Sequence, residues 1–404
     1  MRILFLSAWF PYPPDNGSKI RIYYLLRALG ARHKVTLLSF AFDTARPDEA
    51  EELQRLCADI HAVAIDPFAA NRAGALRAFL ALRPVVSRPI AAMSQLVAEE
   101  VDSHAYDAII ASTGMMADYA LQAPQDAAKI LEEHNSMTRW MWERYAGQNN
   151  ALQRARCWTS WQKLRRYEAR SYPEFDLISM VSQADRATTL DVLGDRGVPV
   201  EFVSNGVDCN HNRPDLVKTR PFSLVYNGAL TYSANYDAMR YFLADIYPMI
   251  RQQVSEASLT ITGSLSGVDL SGLALDESVH LSGYVEDIRA PVAGAAVCVA
   301  PIRQGGGTRL KILEAMALGT PVVATSKAAE GLEVTPGRDI LIADVPSEFA
   351  FQVVRLLRDS GLCRQLSAHA RRLVEERYDW QAIGDQFVAL VEEIVAIGQK
   401  AENR

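Results

Sequence analysis

Short apolar runs alternate with longer amphipathic segments along this chain, and the pattern runs twice. In the first half the runs are Arg2–Ser7, Lys34–Phe40, Ile60–Ile65, Asp107–Ala111, Ala127–Leu131, Leu177–Val181 and Val200–Val203, with helical patterns at Ser18–Leu29 and Ala184–Leu193. In the second half they are Ser223–Tyr226, Ser258–Thr262, Val279–Leu281, Ala296–Ala300, Pro321–Ala324 and Asp339–Ile342. Helical patterns there cover Asn235–Gln253, Asp287–Ala293, Thr308–Leu318, Ser347–Asp359, Cys363–Arg377 and Trp380–Gly398. Runs this short and this apolar predict strands buried on both faces, and their alternation with helices predicts parallel sheets. The expected fold class is α/β, with two Rossmann-like, doubly wound domains facing a central cleft. The repeat breaks near Asn205-Gly206, a turn dipeptide, and the polar stretch Cys209–Arg220 follows. A hinge is expected at 206–220, with one domain over 1–206 and the other over 207–379. Ligands of such sheets bind beyond the carboxyl ends of the strands.

Composition narrows the class. The chain has 404 residues, 49% hydrophobic, which suits two or three domains and needs no disulfide or metal staple. Cys57, Cys157, Cys209, Cys298 and Cys363 are scattered and form no C-x-x-C pair, so neither a zinc site nor a disulfide framework is expected. That usage fits a reduced, cytoplasmic chain. No run of about 18 apolar residues exists to span a membrane. The apolar start, Ile3–Phe10, lacks a cleavage site and meets Pro11, Pro13 and Pro14, so it reads as a first strand rather than a signal peptide. A net charge of −6 gives no whole-protein footprint for nucleic acid.

The most informative segment is Pro301–Ala324. A buried run ends near Pro301; Gly305, Gly306 and Gly307 then allow backbone to approach a ligand, Thr308 suits an N-cap, and Gly319 with Pro321 suits the helix end. A strand, a glycine loop and a helix N-terminus together form an anion site. Arg303, Arg309 and Lys311 add cations there. Glu314 lies about 9 Å along the helix from Thr308 at ~1.5 Å per residue, where the ribose of a diphosphate ligand would lie. The plainer alternative is a turning loop and a solvated glutamate.

The run G-G-G-T-R-L-K-I-L-E-A-M-A-L-G-T-P-V-V-A-T over 305–325 resembles the signature of retaining GT-B glycosyltransferases of family four, the group 1 enzymes. With Ala329-Glu330-Gly331-Leu332 it is similar to a bacterial polysaccharide-associated branch. The M-R-I-L-F-L-S start with P-Y-P-P-D-N-G-S, Val181–Asp185, Asn205–Asp208, Asn227-Gly228 and Gly283-Tyr284-Val285 extend the likeness over nearly the whole chain. The resemblance implies a nucleotide-sugar bound mainly by the C-terminal domain. It also implies an acceptor on the N-terminal domain and transfer with retention, by front-face attack in which the leaving phosphate helps deprotonate the acceptor. It makes Glu314 the ribose ligand and the second glutamate of an E-x(7)-E pattern, whose first position here is Gly306. It places Asn227, Gly228, Tyr284 and Val285 with the glycine loop at the donor site. His134 would lie near the donor sugar, and Gly17 and Ser18 would present helix N–H groups to the phosphate or sugar. The Arg and Lys with which the family clamps the diphosphate are missing after Asn227-Gly228, so Arg309 and Lys311 are the candidate cations. A terminal helix, about 380–398, is expected to return to the N-terminal domain. No cofactor is implied, and the absence of any D-x-D fits a metal-independent reaction.

Two basic stretches stand out in the N-terminal half. Asn71–Ala98 carries Arg72, Arg77, Arg83 and Arg88 around Leu76, Phe79 and Leu80. Arg154–Arg170 carries six Lys or Arg against Glu168, with Trp140, Trp142, Trp158 and Trp161 in or near it. One reading is a solvated face over an aromatic core. The other is an acceptor platform on an anionic membrane surface, serving a polyprenyl-linked or growing glycan at the inner face of the cytoplasmic membrane. The leading expectation is thus a hexosyltransferase of exopolysaccharide or cell-surface polysaccharide synthesis. A nucleotide-sugar 2-epimerase and a catalytically silent nucleotide-sugar-binding scaffold remain alternatives. A dinucleotide dehydrogenase is disfavoured, because no G-x-G-x-x-G follows the first strand.

Overall fold

A computed structural model describes residues 1–42, 45, 47, 50–69, 84, 88–123, 126–305 and 310–402. The chain forms two compact units, Met1–Ser204 with Ile383–Arg404, and Asn205–Ala382.

The first unit is built on β1 (Arg2–Ser7), β2 (Lys34–Phe40), β3 (Asp59–Val63), β4 (Ala108–Ser112), β5 (Ala128–Glu132), β6 (Leu177–Met180) and β7 (Val200–Phe202). They lie in the order β3-β2-β1-β4-β5-β6-β7, every described pairing parallel. Ile3, Leu4, Phe5 and Leu6 are all fully buried, because helices cover both faces of a central strand. The edge strand β3 is half-exposed and ends at Val63, two residues short of the apolar run. Asn16 caps the helix Gly17–Gly30 by accepting from the Lys19 N–H.

The second unit holds β8 (Ser223–Asn227), β9 (Ser258–Thr262), β10 (Val279–Gly283), β11 (Val297–Ala300), β12 (Val322–Ala324) and β13 (Leu341–Ile342). Their order, β10-β9-β8-β11-β12-β13, repeats the winding of the first sheet, again with parallel pairings. Two local differences from the sequence reading have physical causes. The single helix expected over Asn235–Gln253 contains a π turn, Phe242–Ile246, ahead of Pro248. Proline has no N–H to donate and crowds the preceding turn. Asp339 leaves the last strand because its carboxylate accepts from the Thr335 N–H in a turn.

The last helix, Trp380–Glu402, passes from the second unit to the first. Its Ile383, Phe387, Val388, Val391 and Val395 are buried. A Cβ at Gly384 would fall 2.6 Å from Ala28 Cβ, so this glycine is what allows the helix to lie so close to Gly17–Gly30.

Candidate active site

In both sheets the strand order reverses beside the first strand of the unit, which opens a crevice at the carboxyl ends of β8 and β11 in one unit and of β1 and β4 in the other. Polar side chains gather at both places.

In the second unit, Asn227 ends β8 and its Nδ2 donates to Glu314 Oε2 at 3.0 Å. Glu314 lies on the helix Leu310–Ala317, three residues after Lys311 and therefore on the same face. The Lys311 ammonium donates to Asn235 Oδ1 at 2.9 Å and to the Tyr226 hydroxyl at 3.0 Å, and lies 4.1 Å from the centre of the Tyr226 ring. Tyr226 in turn donates to Asn235 Oδ1, and Asn235 Nδ2 closes the loop onto the Ala229 carbonyl. A Cβ on Gly228 would sit 2.5 Å from Lys311 Nζ, so this glycine makes room for the ammonium. Burial raises the Glu314 carboxyl above its ordinary range, against the opposing pull of Lys311 and of the Asn227 hydrogen bond. The next two loops are tied to this one: the Gly228 N–H donates to the Thr262 carbonyl and the Gly263 N–H to the Gly283 carbonyl. Gly263 has φ +107°, and a Cβ there would strike the Ala229 backbone at 2.5 Å.

In the first unit, Glu132 at the end of β5 is fully buried. Arg21 Nε donates to its Oε1 at 2.5 Å and Ser112 Oγ to its Oε2 at 2.8 Å. His134 Nε2 lies 3.2 Å from the same Oε2 and 3.0 Å from Ser112 Oγ. Burial pushes the Glu132 carboxyl up, but the Arg21 and His134 charges and their hydrogen bonds outweigh it and hold it far below the usual range. An ionised carboxylate only accepts, and Ser112 spends its single proton on it, so His134 Nε2 carries the hydrogen in this network. Trp9 stacks on the His134 ring, with centroids 5.8 Å apart. Glu133 behaves oppositely. Burial pushes its carboxyl up to about 8, and it accepts from Tyr172 Oη at 2.5 Å. Thr113, between these groups and Gly114, has φ +77°, a costly conformation for a β-branched residue and one that concentrates at functional sites.

Comparison with known proteins identifies the family and the fold. Residues 221–359 match the family described as "Glycosyl transferases group 1", and residues 15–211 match "Glycosyltransferase Family 4". The chain belongs to the group 1, family 4 glycosyltransferases. A Klebsiella pneumoniae relative described as a 44.6 kDa protein in the cps region is 20% identical over 392 residues, covering 94% of this chain and 96% of the relative. The MMP α-(1→4)-mannosyltransferase of Mycolicibacterium hassiacum is 26% identical over 250 residues, 60% of this chain and 59% of that one. Among solved structures, sucrose-phosphate synthase from Thermosynechococcus elongatus aligns with a TM-score of 0.74 at 17% identity, covering 98% of this chain and all of that one. Anabaena HepE in complex with UDP and glucose aligns with a TM-score of 0.67 at 16% identity, covering 97% of this chain and all of that one. The fold is GT-B.

The family assignment makes the chain a glycosyltransferase, the leading expectation from the sequence. Among the residues singled out in the sequence, the structure brings Asn227, Gly228, Lys311 and Glu314 together. Tyr284 and Val285 follow β10 at the sheet edge, Tyr284 largely exposed. Gly305 follows β11, whereas Gly306, Gly307, Thr308 and Arg309 lie outside the described residues. Arg303 pairs with Asp237 at 2.8 Å and covers the Tyr241 ring. Gly17 and Ser18 are the first two helix residues, whose N–H groups have no partner within the helix. Sequence reasoning missed Tyr226, Asn235, Arg21, Glu132 and Ser112. The pair Glu132-Glu133 inside an otherwise apolar strand end was the available signal.

Proposed function

We propose that this glycosyltransferase holds a nucleotide-sugar on its C-terminal unit and transfers the sugar with retention. The acceptor is a glycan or polyprenyl-linked glycan of bacterial exopolysaccharide or cell-surface polysaccharide synthesis, and the enzyme works at the inner face of the cytoplasmic membrane. The observation that carries this reading is the meeting of Asn227, Gly228, Lys311 and Glu314 at the crevice of the second sheet. Asn227 occupies one Glu314 oxygen and leaves the other to accept from a ribose hydroxyl. Lys311 supplies positive charge beside the loop where the family places its diphosphate clamp, and the glycine-rich loop and helix start supply N–H groups. Anabaena HepE has been solved with UDP-glucose, which supports a sugar-nucleotide donor, and the cps-region relative supports a polysaccharide product.

In this reading the protein's cations and dipoles take up the charge of the departing diphosphate, so no metal is required. The leaving phosphate oxygen receives the acceptor proton, and no side chain acts as nucleophile. His134, held as the Nε2–H form, handles sugar hydroxyls on the first unit. The test is a screen of UDP-, GDP- and ADP-sugars by calorimetry, followed by transfer assays with the donor that binds. Glu314→Ala and Lys311→Met are each expected to weaken donor binding by at least about tenfold, or ~1.4 kcal/mol. Wild-type binding in both variants would overturn the assignment. Product NMR with the anomeric configuration inverted would overturn retention. Dialysis against EDTA is expected to leave the rate unchanged, and a rate restored only by added magnesium would overturn the metal-independent reading.

A further inference from the structure

Two helices of the first unit, Met137–Ala146 and Ala151–Ser171, form a hairpin that the fold barely uses. Only Thr138 is buried in the first helix, and only Leu164, Tyr167 and Glu168 in the second. None of residues 151–163, about 20 Å of helix at ~1.5 Å per residue, is fully buried, Trp161 being half-buried. Large apolar groups are nonetheless placed there. Leu152 is 83% exposed, Trp158 47% and Trp142 45%.

The second helix carries Arg154, Trp158, Trp161 and Arg165 at spacings of four, three and four, which sets them on one stripe. Trp142 packs on Trp161 at 4.8 Å, bringing the first helix to the same stripe. Arginines cover ring faces here: Arg154 over Tyr145 at 5.0 Å, Arg144 over Trp140 at 4.9 Å. Across 137–171 there are eight Lys or Arg and two Glu, in a chain whose net charge is −6. One of the two, Glu168, is buried against Thr138.

We propose that this hairpin is the surface by which the protein docks onto an anionic lipid bilayer. The proposal deepens the membrane part of the proposed function and rests on that reading for its purpose, but needs none of its donor chemistry. Charge complementarity selects an anionic partner, since Lys and Arg near such a surface are drawn to it. The exposed tryptophans select a bilayer, since an indole ring is most stable where one side is apolar and the other wet. An acidic glycan or protein would pair with the arginines but leave Leu152 and Trp158 in water.

The experiment is co-sedimentation of the full chain with vesicles of phosphatidylcholine, with and without 30% phosphatidylglycerol, at about 0.1 M NaCl, while tryptophan emission is recorded. Binding to the anionic vesicles is expected to exceed binding to the neutral ones at least tenfold, with a blue shift in emission. Raising NaCl to about 0.5 M should weaken it. Two variants separate the contributions: Leu152→Ser with Trp142→Ser and Trp158→Ser, and Arg154→Gln with Arg156→Gln and Arg165→Gln. Each should lose at least tenfold in vesicle binding while keeping the wild-type melting temperature, since these positions support no core. Absence of binding to the anionic vesicles overturns the proposal. So does an aromatic variant that binds like the wild type, which would mark the hairpin as a general polyanion surface. No sugar donor enters the assay, so its failure is distinct from failure of the donor-site assignment.

Discussion

Glu132 and Glu133 are adjacent, both buried, and oppositely set. Arg21 keeps the first ionised, so Arg21→Met leaves a buried charge without its guanidinium and is expected to cost about 3–5 kcal/mol in urea unfolding. Arg21→Met with Glu132→Leu should recover much of that loss. Glu133 has no such cation. Its folded value of about 8 stands above its ordinary 4.5, so its protonated form stabilises the fold. That contribution is fully present below about pH 4.5 and lost as pH rises through about 8. Urea midpoints of the wild type should therefore fall between pH 5 and pH 9 more than those of Glu133→Gln. Equal pH profiles would show that Glu133 is not the group responsible. None of this polar cluster was legible beforehand except His134, because a glutamate in a strand reads as a break in the apolar pattern until its buried partner is known.

At the scale of elements, glycines and caps decide local geometry. Gly228→Ala would push its methyl against the Lys311 ammonium and against the buried Asn235 amide. Affinity for the donor nucleotide should fall by about tenfold. A variant that binds the nucleotide normally would separate Lys311 from the donor. Asn150 caps the exposed helix by accepting from the N–H groups of Leu152 and Gln153. Asn150→Ala should weaken that helix start by about 0.5–2 kcal/mol. Because none of residues 151–163 is fully buried, the change should speed amide exchange there and leave global unfolding unaltered. The strands were legible in the sequence: β1, β2 and β9 fall at the residues their apolar runs predict. The helices Ala91–Ser103 and Gly114–Ala120 were not. The former buries only Met93, Val97 and Glu100, too sparse an apolar stripe to read, and the latter is only about two turns long after strained Thr113.

At the scale of the molecule, the chain's last segment completes its first unit. Ending the chain after Ala382 removes Ile383, Phe387, Val388, Val391 and Val395 from that unit's core. At roughly 1.5–3 kcal/mol per buried apolar side chain, the loss exceeds about 5 kcal/mol, comparable to the whole stability of a domain. Calorimetry of the truncated chain should show the first unit's transition lost or strongly lowered, with the second unit's retained. The expected basic segment Asn71–Ala98 lies mostly outside the described residues, Arg72, Arg77 and Arg83 among them, and only Arg88 of its arginines is described. By itself the sequence determined the α/β class, the repeat of the winding and the family, because burial on both faces of a strand is written in consecutive residues. The glycine loop and its helix are likewise one continuous segment. Only the tertiary structure decided which side chains meet. Arg21 reaches Glu132 across 111 residues and Lys311 reaches Tyr226 across 85. Those partners are set by strand order, which carries distant strand ends to one edge of a sheet, and no local pattern of apolar and polar residues encodes it.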